Sequence, residues 1–370
     1  MVNVLELITK MIEWRASDLH ITVNSPPMLR VDGALRPFDN HPLTPEEAQQ
    51  IAYSVMKEEQ KKKFEDFDLD KERGRQVDFS FGIRHQLPDG KPFEARFRAN
   101  VFMQRGNLSM VMRHIPTEIR GFEELGVPKI TAEFCNRARG LVLVTGPTGS
   151  GKSTTLASMV DKINVERSEH ILTIEDPIEF VHKHKRCIIN QREVYSDTAS
   201  FTQALKVALR QDPDVVLLGE MRDRETVEIG LQIAETGHLT FATLHTNSAP
   251  QTINRVIDMF QQGERDAVRA QLAFVLEGVV CQQLIPKIGG GRVVACEVLN
   301  VTPAIRSLIR DDKVHQIQGI MEVSQKYGMQ TLNMDLAKLV IGRKITKDDA
   351  LMYSSDPEQL EKFISGNFRL

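Results

Sequence analysis

Residues Gly146-Pro147-Thr148-Gly149-Ser150-Gly151-Lys152-Ser153 set three glycines ahead of a lysine and a hydroxyl. Glycine lets the backbone approach an anion closely, so that amides and a following helix N-terminus can surround phosphate oxygens. A lysine at this spacing reaches the β- and γ-phosphates of a nucleotide, and the hydroxyl ligates Mg²⁺. The stretch fits G-x-x-x-x-G-K-[ST], the P-loop. The apolar run Leu141–Thr145 before it and the helix-like Thr154–Ile163 after it give the strand–loop–helix setting that the motif needs. Residues 146–154, Thr154 included, are the expected ATP/ADP-binding segment, with Lys152 on phosphate and Ser153 on Mg²⁺. A glycine-rich surface turn would not carry these flanks.

Hydrolysis asks for more: an acid near the metal, a group that orients water, and positive charge on the γ-phosphate. Asp214-Val215-Val216-Leu217-Leu218-Gly219-Glu220 ends an apolar strand in an acid, the Walker B pattern. Glu220 would sit beside Mg²⁺ through its water shell. Ile171-Leu172-Thr173-Ile174-Glu175-Asp176-Pro177-Ile178-Glu179 places three carboxylates past another strand, where ligands gather in open α/β sheets. One of them could polarise the attacking water, a contribution of about 10²–10⁴-fold; a solvated acidic loop fits the same pattern. Gly237-His238 and Thr243-Leu244-His245-Thr246-Asn247 bracket the next strand. His245, at its C-terminal end, suits a γ-phosphate sensor and equally a structural hydrogen-bonder.

The elements that must position these groups read as two regions. From residue 1 to about 115 the pattern is α+β. Val4, Leu5, Ile8, Met11 and Ile12 have amphipathic helix spacing. Asp32-Gly33 is a hairpin turn, and Thr44-Pro45-Glu46-Glu47 opens a helix with a capping box. Val77 to Ile83 and Phe93 to Val101 alternate with the strand period of two, with Pro88-Asp89-Gly90 as the turn between them. Arg96 and Arg98 fall on the polar face of the second strand, and Arg113 on the next extended stretch; a solvated strand face is the plain reading. A linker at 116–121 follows. From 122 onward strands alternate with helices: Leu141–Thr145, Ile171–Ile174, Asp214–Leu218, Leu239–Thr243 and Arg292–Leu299. The first four are near-continuous apolar runs, as in parallel strands covered on both faces. A hairpin is expected at Cys187 to Tyr195. The fold class is α/β, a RecA-like P-loop core with a parallel-rich sheet. From about 302 the chain reads as helical, with Thr302, Thr346 and Asp356 as N-caps and Gly342 as a stop.

Composition bounds the rest. Of 370 residues, 41% are hydrophobic and 26% charged, with net charge −3. No global positive field recruits nucleic acid or acidic lipid, and aromatics at 6% are sparse for a single-strand channel. Lys61-Lys62-Lys63 reads as a solvated helix end. Cys135, Cys187, Cys281 and Cys296 form no C-x-x-C pair, against a zinc site or a disulfide framework. No apolar run reaches membrane length, and the start lacks a basic, apolar leader. The expectation is a cytoplasmic protein without nucleic-acid partners.

The segments GPTGSGKST, ILTIEDPIEF, DPDVVLLGEMRD and TGHLTFATLHTNSA, in this order, resemble the secretion-superfamily hexameric ATPases, and within them the type IV pilus retraction branch. Ser17-Asp18-Leu19-His20, Val101 to Gly106, Ala270 to Gly278 and Gly328 to Thr331 match as well, so the resemblance covers nearly the whole chain. Ala304-Ile305-Arg306-Ser307-Leu308-Ile309-Arg310-Asp311 is similar to AIRNLIRE, a motif of retraction motors, departing at Ser307 and Asp311.

The resemblance implies roles. Glu179 matches the general base, Glu220 the Walker B acid, and His238 and His245 the His-box pair. Arg96, Arg98 and Arg113 match arginines of a PAS-like N-terminal domain that reach the nucleotide; such an arginine is worth about 10³–10⁵ in rate. Extra residues around His85 to Phe93 leave the register of Arg96 open. The implied assembly is a homohexameric ring that binds ATP between the domains of a chain. It would flex across Pro116 to Gly121 and turn a PilC-like inner-membrane platform protein, at the inner face of the membrane, so that pilin depolymerises. An accessory retraction ATPase, a pilus-extension or type II secretion ATPase, and a nucleotide-gated scaffold remain open, as does a second retraction ATPase that shares the work.

Overall fold

The computed structural model describes residues 3–31, 33–66, 75–86, 90–115 and 118–366. The turns expected at Asp32-Gly33 and Pro88-Asp89-Gly90, and the linker starting at Pro116, fall partly outside these residues. The chain divides into two compact units, Met1–Glu118 and Ile119–Leu370.

The first unit is a six-stranded antiparallel sheet with helices on one face. Its strands are β1 (Asp18–Ile21), β2 (Met28–Val31), β3 (Ala34–Pro37), β4 (Gln76–Gln86), β5 (Pro92–Gln104) and β6 (Asn107–Ile115), in the order β3-β2-β1-β6-β5-β4. Alternation decides which face is covered. Ala95, Phe97, Ala99 and Val101 of β5 are buried with Met110 and Met112 of β6. The helices Val4–Glu13 and Pro45–Ser54 complete this core through Leu7, Ile8, Met11, Ala48 and Ile51. Thr44 caps the second helix in the expected capping box with Glu47. Lys61, Lys62 and Lys63 lie on a short helix, Glu58–Glu65, whose first turn carries Glu58 and Glu59.

The opposite face of this sheet is a polar row. Arg98 pairs across β5–β6 with Arg113, Arg113 with Asp18, and Asp18 with Arg30. Directly paired residues share a face, so the arginines of three strands line up around one carboxylate. Burial alone would raise the Asp18 carboxyl. Hydrogen bonds from Arg113 (Nε to Oδ1, 2.8 Å) and Ser17 (2.8 Å), with the Arg113 charge, outweigh that and hold it below the usual aspartate range.

The second unit is built on β7 (Gly140–Thr145), β8 (His170–Glu175), β9 (Ile188–Glu193), β10 (Val215–Leu218), β11 (Leu239–Leu244), β12 (Leu276–Pro286) and β13 (Arg292–Asn300), in the order β13-β12-β7-β11-β10-β8-β9. All neighbours pair parallel except β12–β13. Every residue of β7, β10 and β11 is buried, because helices cover both faces, and two apolar cores lie on the two sides. The mixed α/β fold with a parallel-rich sheet is the one expected. Helices Pro303–Arg310, Ile317–Val323, Leu332–Ile341, Lys347–Tyr353 and Pro357–Ile364 make the C-terminal region helical. Thr346 and Asp356 cap their helices with side-chain oxygens, whereas Thr302 makes no such bond. Gly342 ends its helix.

One expectation is corrected and one strand was missed. The stretch around Cys187 to Tyr195 is no hairpin: β9 pairs parallel with β8, His170 opposite Ile188. Parallel neighbours need a crossover of about a dozen residues, and the excursion through Asp176 to Cys187 supplies it. Strand β12 was not foreseen. It follows the helix Arg265–Val275 without a break, so the apolar run from Ala270 onward spans both elements and hides the boundary.

Among the described residues no helix is long and apolar enough to cross a membrane. All four cysteines are buried thiols; burial pushes Cys135 up to about 12.

Candidate nucleotide site

Parallel pairing brings the C-terminal ends of β7, β11, β10 and β8 to one edge of the sheet. The expected chemistry sits there: the P-loop after Thr145, His245 after Leu244, Glu220 after Leu218, and the acids after Ile174.

The loop leaves β7 at Gly146 and enters the helix Lys152–Glu166 through Gly151, which caps it at φ 91°. Gly146 is at φ 140° and Gly149 at φ 79°. At Gly146 the need is also steric: a Cβ there would lie 2.2 Å from the Gln282 carbonyl oxygen and 2.7 Å from Ser150 Oγ. The P-loop is thus pressed against β12. Gln282, itself buried, donates from Nε2 to Thr155 Oγ1 (2.9 Å) on the P-loop helix. Nothing nearby in sequence announces this contact.

Pro147, Thr148 and Gly149 form the exposed outer arc, whereas Gly146 and Ser150 are buried at the loop base; the Thr154 carbonyl accepts from Ser158 Oγ (3.0 Å). Among the described residues Ser150 Oγ has no hydrogen-bond partner, a buried hydroxyl inside the P-loop. Ser153 lies in the first turn of the helix. The Lys152 ammonium donates to the carbonyls of Gly146 (2.8 Å) and Pro147 (3.1 Å). Burial lowers its pKa, opposed by the charges of Glu220 and Glu179. Both carboxylates therefore act on the lysine that would grip phosphate.

Lys152 Nζ is 3.5 Å from His245 Nδ1, and His245 Nε2 is 3.2 Å from Glu220 Oε1. One neutral tautomer satisfies both contacts: Nδ1 accepts from the ammonium and Nε2–H donates to the carboxylate. The other Glu220 oxygen accepts from Arg222 Nε (2.8 Å), and Arg222 also approaches Asp176 (3.6 Å). A continuous polar line thus links P-loop, β11, β10 and the acidic turn. Arg222, two residues past Glu220, was not singled out by sequence; its place in GEMRD was the only signal. A groove of about 460 Å³ opens beside this line, lined by Glu220, Arg222, His245, Asn254 and Arg255.

The acids after β8 divide by environment. Glu175 accepts from Thr173 Oγ1 (2.6 Å), Gln191 Nε2 (3.3 Å) and the Glu179 amide (3.4 Å). Burial raises its pKa against those bonds. It anchors the turn. The Glu179 side chain is exposed.

The structure does not bring His238 to this edge. It precedes β11, whereas His245 follows it, and six strand residues separate the two by about 20 Å. His238 Nδ1 instead meets Thr236 Oγ1 (3.0 Å) and the Ile233 carbonyl (3.1 Å) at a helix end. The pair expected from sequence is therefore split within one chain. Arg96, Arg98 and Arg113 belong to the first unit, where Arg98 and Arg113 are cross-strand partners and Arg96 sits two residues along on the same face.

The family model described as type II/IV secretion system protein matches residues 2–332. The type IV pilus retraction ATPase PilT of Pseudomonas aeruginosa is 47% identical over 96% of this chain and 99% of its own. The type IV pilus ATPase PilU of the same organism is 40% identical over 97% of this chain and 90% of its own. A crystal structure of the pilus retraction motor PilT with bound ADP superposes with a TM-score of 0.89 at 51% identity, covering 98% of this chain and all of that one. The resemblance to the pilus retraction branch drawn from the motifs holds over the whole length. The chain belongs to the type II/IV secretion system protein family.

Proposed function

We propose that this chain is an ATP-hydrolysing motor that powers type IV pilus retraction. The observation that carries the reading is the Lys152–His245–Glu220 line, which joins a phosphate-gripping ammonium to a Walker B acid through one histidine. Similarity to PilT over the full length supports the pilus role.

Phosphate oxygens would take the Lys152 ammonium from the Gly146 and Pro147 carbonyls, a charge-assisted exchange favoured by about 1.5–3 kcal/mol per bond in partly buried surroundings. The Ser150 hydroxyl, buried and unpartnered, suits an anion in the same cradle. Ser153 and Glu220 fit Mg²⁺, the serine directly and the glutamate through water; when bound, the ion neutralises charge on the β- and γ-oxygens. The Ser153 hydroxyl and the hard carboxylate oxygens match its preference. Glu179 orients the attacking water as general base, since Glu175 is spent on its turn. Arg96, Arg98 and Arg113 supply positive charge on the γ-phosphate. His238, remote from the site in its own chain, has no part in this scheme.

In this reading residues 1–115 form a PAS-like domain and 122–370 the ATPase domain. Six copies assemble as a ring on a PilC-like platform protein at the inner face of the membrane. The kinship with PilU keeps an accessory retraction role as the second reading.

Glu179→Gln tests the chemistry. ATP turnover should fall by about 10²–10⁴-fold while ADP affinity stays at the wild-type value; turnover left intact would remove Glu179 from its role. Deletion in the native host tests the biology. Surface pili retained without surface motility fix retraction, whereas loss of pili would point to assembly.

A further inference from the structure

Strand β13 carries a buried carboxylate that the proposed chemistry does not use. Glu297 is 7% exposed, and its Oε1 accepts from the backbone amide of Ala249 (2.7 Å). Ala249 is the first residue of the helix Ala249–Asp258. Only Thr246, Asn247 and Ser248 separate it from His245. An anion at a helix N-terminus is favoured by the unpaired amides and the helix dipole. Glu297 therefore fixes the far end of the turn that begins with the phosphate-facing histidine.

Register places this carboxylate level with the site. Glu297 pairs with Cys281, Cys281 with Thr145, and Thr145 with Leu244. Directly paired residues form one transverse row on one face of the sheet. That row holds the residue before the P-loop and the residue before His245.

The same carboxylate stands at a second junction. Gln330 pairs with Val298 through both backbone bonds (2.8 and 3.1 Å), and Asp335 accepts from the Cys296 amide (2.8 Å). These contacts bracket Glu297 and tie the start of the helix Leu332–Ile341 to β13. Burial raises the Glu297 pKa, and the amides of Ala249 and Leu332, the first residue of that helix, oppose the rise. One carboxylate therefore faces two helix N-termini, one leading from His245 and one opening the outer part of the C-terminal region.

We propose that Glu297 is a positioning residue that couples the turn 245–248 to the helix Leu332–Ile341, so that the C-terminal region responds to what occupies the nucleotide site. The inference rests on the nucleotide reading above. A change at His245 moves the Ala249 amide, and Glu297 passes that movement across β13, because a buried carboxylate cannot leave two amides unpaired without cost.

The test is hydrogen exchange of the full chain with and without a non-hydrolysable ATP analogue and Mg²⁺. Peptides covering 146–154 and 330–336 should both slow in the wild type. In Glu297→Gln, whose amide group has one acceptor oxygen and cannot serve both helices, the P-loop response should persist and that at 330–336 should vanish. ADP affinity should hold while kcat drops about 10-fold, as a displaced positioning group allows. Asp335→Asn removes a half-buried carboxylate that bonds β13 at the Cys296 amide rather than the turn at Ala249; it should keep the wild-type kcat. A wild-type P-loop that slows while 330–336 stays unchanged overturns the coupling, even if Glu297→Gln fails to fold. So does a folded Glu297→Gln with wild-type kcat and response. A P-loop indifferent to the analogue overturns the nucleotide reading and this inference together.

Discussion

His245 Nε2 lies 3.2 Å from Glu220 Oε1, so the histidine after β11 and the acid after β10 act as one unit. Its other nitrogen faces Lys152, so the ring bridges the P-loop lysine and Glu220, the proposed phosphate grip and metal side. His245→Ala should lower ATP turnover by about 10–100-fold with ADP affinity retained. His245→Gln, which can donate and accept, should recover part of the loss. Equal turnover in wild type and His245→Ala would leave the histidine a packing residue.

Asp18 gives a pH-dependent prediction for the first unit. Its carboxyl is held below the usual range by Arg113 and Ser17 against the opposing effect of burial. A depressed folded-state pKa means stabilisation that is complete above the unfolded value, about 3.9, and lost as pH falls through the lower folded value. Arg113 is 70% exposed, so solvent screening trims the contribution to about 1–2 kcal/mol. Asp18→Asn should destabilise the unit by that amount at pH 7, and the gap should close below about pH 4. Trp14, the single tryptophan, packs against this core, so its fluorescence during urea unfolding reads the unit directly. A gap that persists at acid pH would assign the loss to packing.

The parts legible in sequence are those written locally. The P-loop, its flanking strand and helix, the Walker B strand and the alternation in β5 each occupy a few consecutive residues whose spacing carries the physics. What escaped is long-range. Gln282 backs the P-loop from 127 residues beyond Thr155, and the strand that carries it merges into the preceding helix. Edge strand β9 read as a hairpin because local apolar alternation says nothing of direction. His238 and His245 were paired by the family resemblance, yet the strand between them, Leu239–Leu244, sets them at opposite edges of the sheet. The two departures from the retraction motif are mutual partners: Ser307 Oγ donates to Asp311 Oδ2 (3.3 Å) and accepts from Arg310 (3.2 Å).

Gly146 is the position where sequence and packing make the same demand. Gly146→Ala would set a methyl 2.2 Å from the Gln282 carbonyl, and backbone cannot yield as a flexible side chain can. The overpacking should cost about 1–3 kcal/mol and push the loop out of its phosphate-binding shape. Nucleotide affinity should fall by more than the stability loss implies, since the folded fraction stays high. Wild-type ADP affinity in Gly146→Ala would mean that β12 moves aside.

Arg306 explains one half of the motif helix. Its guanidinium donates to the carbonyls of Ala273 (2.6 Å) and Phe274 (2.7 Å) and to Glu277 Oε1 (2.6 Å). It thus caps the helix Arg265–Val275 where it becomes β12, the strand that backs the P-loop. At the other end of the pair, Arg269 meets Asp312 (3.0 Å), so the two helices are clamped twice. Arg310, by contrast, is exposed. The fork geometry is specific to arginine, and lysine would keep the charge without the bidentate contact. Arg306→Ala should cost about 2–3 kcal/mol in thermal unfolding of the full chain, and Arg306→Lys should recover less than half. Arg310→Ala should leave stability within about 0.5 kcal/mol. If Arg306→Ala melts like wild type, the Arg306 clamp is dispensable and the Arg269–Asp312 pair with buried Ile305 and Ile309 suffices to hold the helix pair.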